Sequence, residues 1–213
     1  RTATVGLSIT QTTVAGGGSG AAQSVIITGT EDITIDTAVA AGTIDASGMS
    51  ARLATTPGLV MSNLFTATTA IPAQTITGSS GADQLFGSSG ADTLTGGAGN
   101  DQFTAGIGGD TIAGGTGTDT FIGTTALTAA NIEGSGSGTS TGVVVNLGAS
   151  TLTGAAILGA TTQNISGSLT GVASGQVAYL FNGELVTNSA AVDTLTSIEN
   201  VTLADGINYI VGS

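Results

Sequence analysis

Short alternations of apolar and polar residues run along most of this chain, and between Gly78 and Ile122 they acquire a fixed period of nine. Five units read GSSGADQLF, GSSGADTLT, GGAGNDQFT, AGIGGDTIA and GGTGTDTFI. Position eight is apolar in each, as Leu85, Leu94, Phe103, Ile112 and Phe121. An apolar residue with one neighbour on either side makes a three-residue strand, far too short to be stable alone. Glycines at positions one, two and four let the chain turn through dihedrals that a Cβ disfavours. Strand, turn, strand, turn predicts a flat right-handed coil with two nonamers per turn, and only the stacking of neighbouring coils buries its core. Leu85, Phe103 and Phe121 should line one side of that core, with Leu94 and Ile112 opposite.

The flanks carry the same short pattern without the strict period. SVIITGT (24–30) and DITIDT (32–37) read as strands separated by turn clusters such as Gly16-Gly17-Gly18. Gln74 and Ile76 stand in phase with positions six and eight, so the coils should begin one unit early. After Ile122 the register is lost. GVVVNLGAS (142–150) reads as a buried strand, and Asn182-Gly183 between alternating residues predicts a hairpin with a type I′ turn. Helix is expected only as a short piece near 124–131. The expected fold class is all-β, a right-handed parallel β-roll or β-solenoid flanked by further β-rich coils. Its divisions are 1–74 (β-rich, solenoid-like), 75–122 (the repeat block) and 123–213 (a β-rich C-terminal part).

The nine-residue period also places an aspartate at position six of every unit: Asp83, Asp92, Asp101, Asp110 and Asp119. With two units per turn these form two rows, Asp83–Asp101–Asp119 and Asp92–Asp110. Neighbours in a row would be one strand spacing apart, about 4.8 Å. Like charges that close repel by about 1 kcal/mol in water, and by several at an effective dielectric of 20. A hard dication between them reverses the sign, and oxygen ligands at this density suit calcium. Turn carbonyls around Gly81, Gly90, Gly99, Gly108 and Gly117 would complete the coordination. Complete pairs are 83/101, 101/119 and 92/110, with a partial site between Gln74 and Asp92. Ser79 and Ser88 replace the second glycine and Ala105 the first, so sites there should be weaker or distorted. Asp32, Asp36 and Asp45 read first as exposed strand and turn carboxylates. Among Glu133, Glu184, Glu199 and Asp205, Glu199 is the best further candidate.

The template Gly-Gly-x-Gly-x-Asp-x-apolar-x resembles the RTX, or haemolysin-type, calcium-binding nonapeptide. An IDASGM segment (44–49) running into the nonapeptides, and DTLTSIENVTLADG (193–206) after them, resemble the flanks of RTX-type bacterial surface-layer proteins. That resemblance implies calcium in the turns, export by type I secretion through a C-terminal signal, and a calcium-stabilised lattice at the bacterial cell surface.

Composition narrows the remaining classes. The chain has 213 residues, 36 glycines, five Phe, two Tyr and no Trp, which argues against a conventional globular core. Its hydrophobic content of 40% argues equally against disorder. Net charge is −12 with two cations, so no basic patch for nucleic acid or an anionic membrane can be assembled. No apolar run reaches the roughly 18 residues of a membrane span. The chain begins at Arg1 rather than methionine and reads as part of a longer protein. Without His, Cys or Lys most general-base and nucleophile schemes are closed, so no enzyme activity is expected here. The expected function is that of a structural calcium-binding surface-layer subunit assembling with copies of itself, with any contact to cell-surface polysaccharide made elsewhere. The alternatives are the C-terminal secretion and folding module of an exoenzyme or toxin, or a piece of an RTX adhesin.

Overall fold

The computed structural model describes residues 8–12, 24–30, 32–35, 42–50, 57–61, 73–88, 90–106, 108–123, 140–151, 172–181, 184–186, 192–203 and 209–211. Among them every regular element is a strand. In chain order these are β1 (Ser8–Thr12), β2 (Ser24–Gly29), β3 (Ile33–Ile35), β4 (Thr43–Met49), β5 (Pro57–Met61) and β6 (Thr75–Thr77). The repeat block supplies β7 (Ala82–Phe86), β8 (Thr93–Ala98), β9 (Gln102–Thr104), β10 (Thr111–Thr116) and β11 (Thr120–Gly123). Beyond it lie β12 (Ser140–Asn146), β13 (Gln176–Phe181), β14 (Glu184–Val186), β15 (Asp193–Thr196), β16 (Asn200–Leu203) and β17 (Tyr209–Val211).

Successive strands of the block alternate between two sheets, as a coil with two strands per turn requires. The first sheet runs β1-β2-β4-β6-β8-β10-β15-β13-β12-β17, with β14 beside β13; the second runs β16-β11-β9-β7-β5-β3. From β2 to β15 the first sheet is parallel throughout, and the second is parallel from end to end. Ile76, Leu94 and Ile112 stand in register in one sheet, and Leu85, Phe103 and Phe121 in the other. All six are fully buried in one core, which is the ladder expected from position eight. The threonines beside them point outward: Thr93 and Thr111 are exposed.

The coils extend past the nonapeptides in both directions. Val25 and Ile44 continue the first ladder through Ile76, as the phase of Gln74 and Ile76 anticipates. On the other side β15 pairs with β10 and β16 with β11, so Leu195 follows Ile112 and Val201 follows Phe121. Register lost in the sequence after Ile122 is thus resumed in space near residue 193. Strand β12 is the buried strand anticipated at 142–150, with Val143, Val144 and Val145 fully buried. Strands β13 and β14 form the anticipated hairpin, although Asn182-Gly183 itself lies outside the described residues. The C-terminal part is not built of parallel coils alone. Strand β13 runs antiparallel to β12, β14 and β15, interrupting the solenoid pattern there. The helical piece expected near 124–131 also lies outside the described residues.

Candidate metal centre

The five aspartates close the turns where the chain passes between the sheets, and all five are at most 2% exposed. Each stands in line with the aspartate one coil away, and a main-chain bond defines that line. Leu59 N–H donates to Asp83 Oδ1 (2.5 Å), Asp83 N–H to Asp101 Oδ1 (2.8 Å), and Asp101 N–H to Asp119 Oδ1 (2.9 Å). Along the opposite edge Gln74 N–H donates to Asp92 Oδ1 (2.7 Å) and Asp92 N–H to Asp110 Oδ1 (2.7 Å). The two rows read from the period, and the pairs 83/101, 101/119 and 92/110, are therefore neighbours in the fold.

Both rows continue beyond the nonapeptides. Asp119 N–H donates to Glu199 Oε2 (2.8 Å), and Asp110 N–H to Asp193 Oδ1 (3.1 Å). Glu199 was a weak candidate in the sequence, and Asp193 was not a candidate at all. The signal for both was present: DTLT (193–196) and ENVT (199–202) each repeat the acidic-x-apolar-x half of the nonapeptide. They stand six residues apart instead of nine, so a periodic search passes over them.

The second carboxylate oxygen divides the rows into two kinds of turn. Where serine holds position two, the turn closes on its own aspartate. Ser79 donates to Asp83 through its N–H (2.6 Å to Oδ2) and its Oγ (2.9 Å to Oδ1). Ser88 N–H likewise donates to Asp92 Oδ2, and Ser88 Oγ reaches Oδ1 at 3.1 Å. In the three glycine turns the corresponding oxygens, Asp101 Oδ2, Asp110 Oδ2 and Asp119 Oδ2, are buried with no hydrogen-bond partner. A buried carboxylate oxygen without a donor is costly, and costlier when charged.

Electrostatics record that cost. Burial raises all five aspartates above the ordinary carboxylate value of 3.8. Asp101 is lifted to about 7, first by burial and then by the Asp83 and Asp119 charges on either side. Burial raises Asp110 and Asp193 as well, and the charge of Asp193 pushes Asp110 further. Asp193 also accepts the Tyr179 hydroxyl on Oδ2 (2.9 Å).

The donor set fits a hard cation. Among the described residues no three Asp, Glu, His or Cys side chains converge, so oxygens other than carboxylates would have to complete a coordination shell. Main-chain carbonyls crowd the turns. A Cβ on Gly96 would overlap Asp101 Oδ2 and Gly114 O, and one on Gly117 would overlap Gly99 O. Gly99, Gly108 and Gly117 take φ of 122°, 130° and 140°, which L side chains disfavour. Gly81 and Gly90, in the serine-containing units, are not in that region. Asp45 does not join the rows: its Oδ1 accepts Ser47 N–H (2.9 Å) within β4. Asp32 is exposed, while Asp36, Glu133 and Asp205 lie outside the described residues.

The family model of the RTX calcium-binding nonapeptide repeat matches residues 77–112 and again 104–125. Residues 77–125 thus carry RTX-type nonapeptide repeats. The nonapeptides of that family bind calcium and are typical of secreted proteins. Neither the comparison with curated proteins nor that with solved structures returned a match. The RTX match ends at residue 125, so the coil carrying Asp193 and Glu199 lies beyond it.

Proposed function

We propose that this RTX chain is a structural calcium-binding subunit of a bacterial surface layer, folding and assembling with copies of itself outside the cell. One observation carries the calcium part: two rows of buried, paired carboxylates, in which three oxygens have no donor and two of those, on Asp101 and Asp119, crowd against main-chain carbonyls. The ligands on this reading are Asp83, Asp92, Asp101, Asp110 and Asp119 with the turn carbonyls, grouped in the pairs 83/101, 101/119 and 92/110. The surface-layer part is supported by β-structure that continues the same sheets on both sides of the block, and by the absence of His, Cys and Lys for catalysis.

Mechanism follows from the rows. Calcium, when bound, supplies the positive charge that paired carboxylates and carbonyls share. Without it Asp101 stands between two like charges in a buried site, and that repulsion keeps the glycine-rich turns open. An open block suits export from a cytoplasm poor in free calcium. Outside, extracellular modules typically bind in the range of about 10⁻⁴–10⁻³ M, and binding to the folded form alone stabilises it. The carboxylates then hold neighbouring coils at strand spacing while position eight packs beneath them.

Chelation is the test. Removing calcium from the full chain with EGTA should abolish most circular-dichroism signal for β-structure in 78–122 and dissolve any assembly seen by electron microscopy. A spectrum unchanged by chelation would sink the calcium reading. Well-folded monomers at every calcium concentration would instead favour a secretion and folding module or an adhesin piece.

A further inference from the structure

The three donor-less oxygens do not all face another nonapeptide. Asp101 Oδ2 faces the coil of Asp119, but Asp110 and Asp119 are bonded onward to Asp193 and Glu199 of the C-terminal coil. We infer that Asp119, Glu199 and the Ser197 carbonyl form a further calcium site, which fastens β15–β16 to the repeat block. The inference rests on the rows being calcium ligands.

Equivalence between junctions carries it. At the first junction of this edge, a Cβ on Gly78 would meet Asp83 Oδ2 and Gly96 O; at the second, one on Gly96 would meet Asp101 Oδ2 and Gly114 O. At the third, one on Gly114 would meet Asp119 Oδ2 and Ser197 O. Ser197 O therefore stands where the first-position carbonyl of a nonapeptide stands. Glu199 takes the place of the next aspartate, since Asp119 N–H donates to it as Asp101 N–H donates to Asp119. The longer glutamate arm accompanies a shorter turn, with one residue between Ser197 and Glu199 where the nonapeptide has four between Gly114 and Asp119. Ser197, at φ 51°, makes that turn.

The two edges of this coil differ. On the far edge Asp110 Oδ2 also lacks a donor, but its partner carboxylate, Asp193, already receives the Tyr179 hydroxyl, a donor supplied by the protein. On this edge Asp119 is fully buried and its Oδ2 has no donor. Two carboxylates and a carbonyl, all oxygen, suit a calcium ion better than a transition metal.

The test titrates the calcium-depleted full chain with calcium chloride, measuring bound calcium by calorimetry and amide protection by hydrogen exchange. Glu199→Gln keeps an acceptor for Asp119 N–H but removes the charge. It should bind one calcium fewer, and the amides of β16 should need about tenfold more calcium for protection, because carboxylate count sets affinity in such sites. Amides of β8 should keep their wild-type midpoint. Glu199→Asp keeps the charge on a shorter arm and should shift β16 less than Glu199→Gln. Wild-type stoichiometry and midpoint in Glu199→Gln, equal shifts in the two variants, or β16 protected without calcium would each overturn this site alone. No calcium bound by the wild type would overturn the reading of the rows, and this site with it.

Discussion

Serine at position two changes what an aspartate needs. Ser79 and Ser88 give Asp83 and Asp92 the donors that Asp101, Asp110 and Asp119 lack. The main-chain N–H of each serine reaches Oδ2, the oxygen left without a donor in the glycine turns, and the hydroxyl adds a bond to Oδ1. Asp101 belongs to two nonapeptide pairs, Asp83 to one. Asp101→Ala should therefore raise the calcium midpoint of folding, followed by circular dichroism, more than Asp83→Ala; equal midpoints contradict stacked pairs. Protonation offers a second check. The folded value of Asp101, about 7, lies above the ordinary 3.8, so the neutral form favours folding. That contribution is complete below about pH 3.8 and lost as pH rises through about 7. Calcium-free protein should gain β-signal when acidified from pH 8 to pH 4, whereas calcium binding should weaken over the same range. Loss of β-signal on acidifying the calcium-free chain would contradict this sign.

At the scale of strands, the position-eight ladder sets stability. Phe103 lies between Leu85 and Phe121 in register and is fully buried, so its removal opens the core on both sides. Phe103→Ala should cost about 3–5 kcal/mol in denaturant unfolding of the calcium-loaded chain. This ladder was legible in the sequence because a large apolar residue recurs at the same place in every unit of nine. The aspartate rows were legible for the same reason. Three features were hidden. The row beginning at Leu59 depends on a main-chain donor, which leaves no mark on residue type. The coil at 193–203 has a shortened turn, and the chain between it and Gly123 carries other strands. The antiparallel strands β12, β13 and β14 share the apolar alternation of coil strands, and alternation carries no direction.

For the molecule as a whole, two sheets continue through the repeat block into the β-structure on either side. The block is therefore the middle of a longer stack, and its carboxylates hold coils contributed by distant parts of the chain. The main-chain bonds along each row all run one way: a residue's N–H reaches forward to a carboxylate made later in the sequence. This gives the stack a polarity, like a ratchet whose teeth lean toward one end. Shorten it at the C-terminal end and the last coil keeps a buried N–H with nothing to accept it. Shorten it at the N-terminal end and what remains is a carboxylate, which water or a cation can still satisfy.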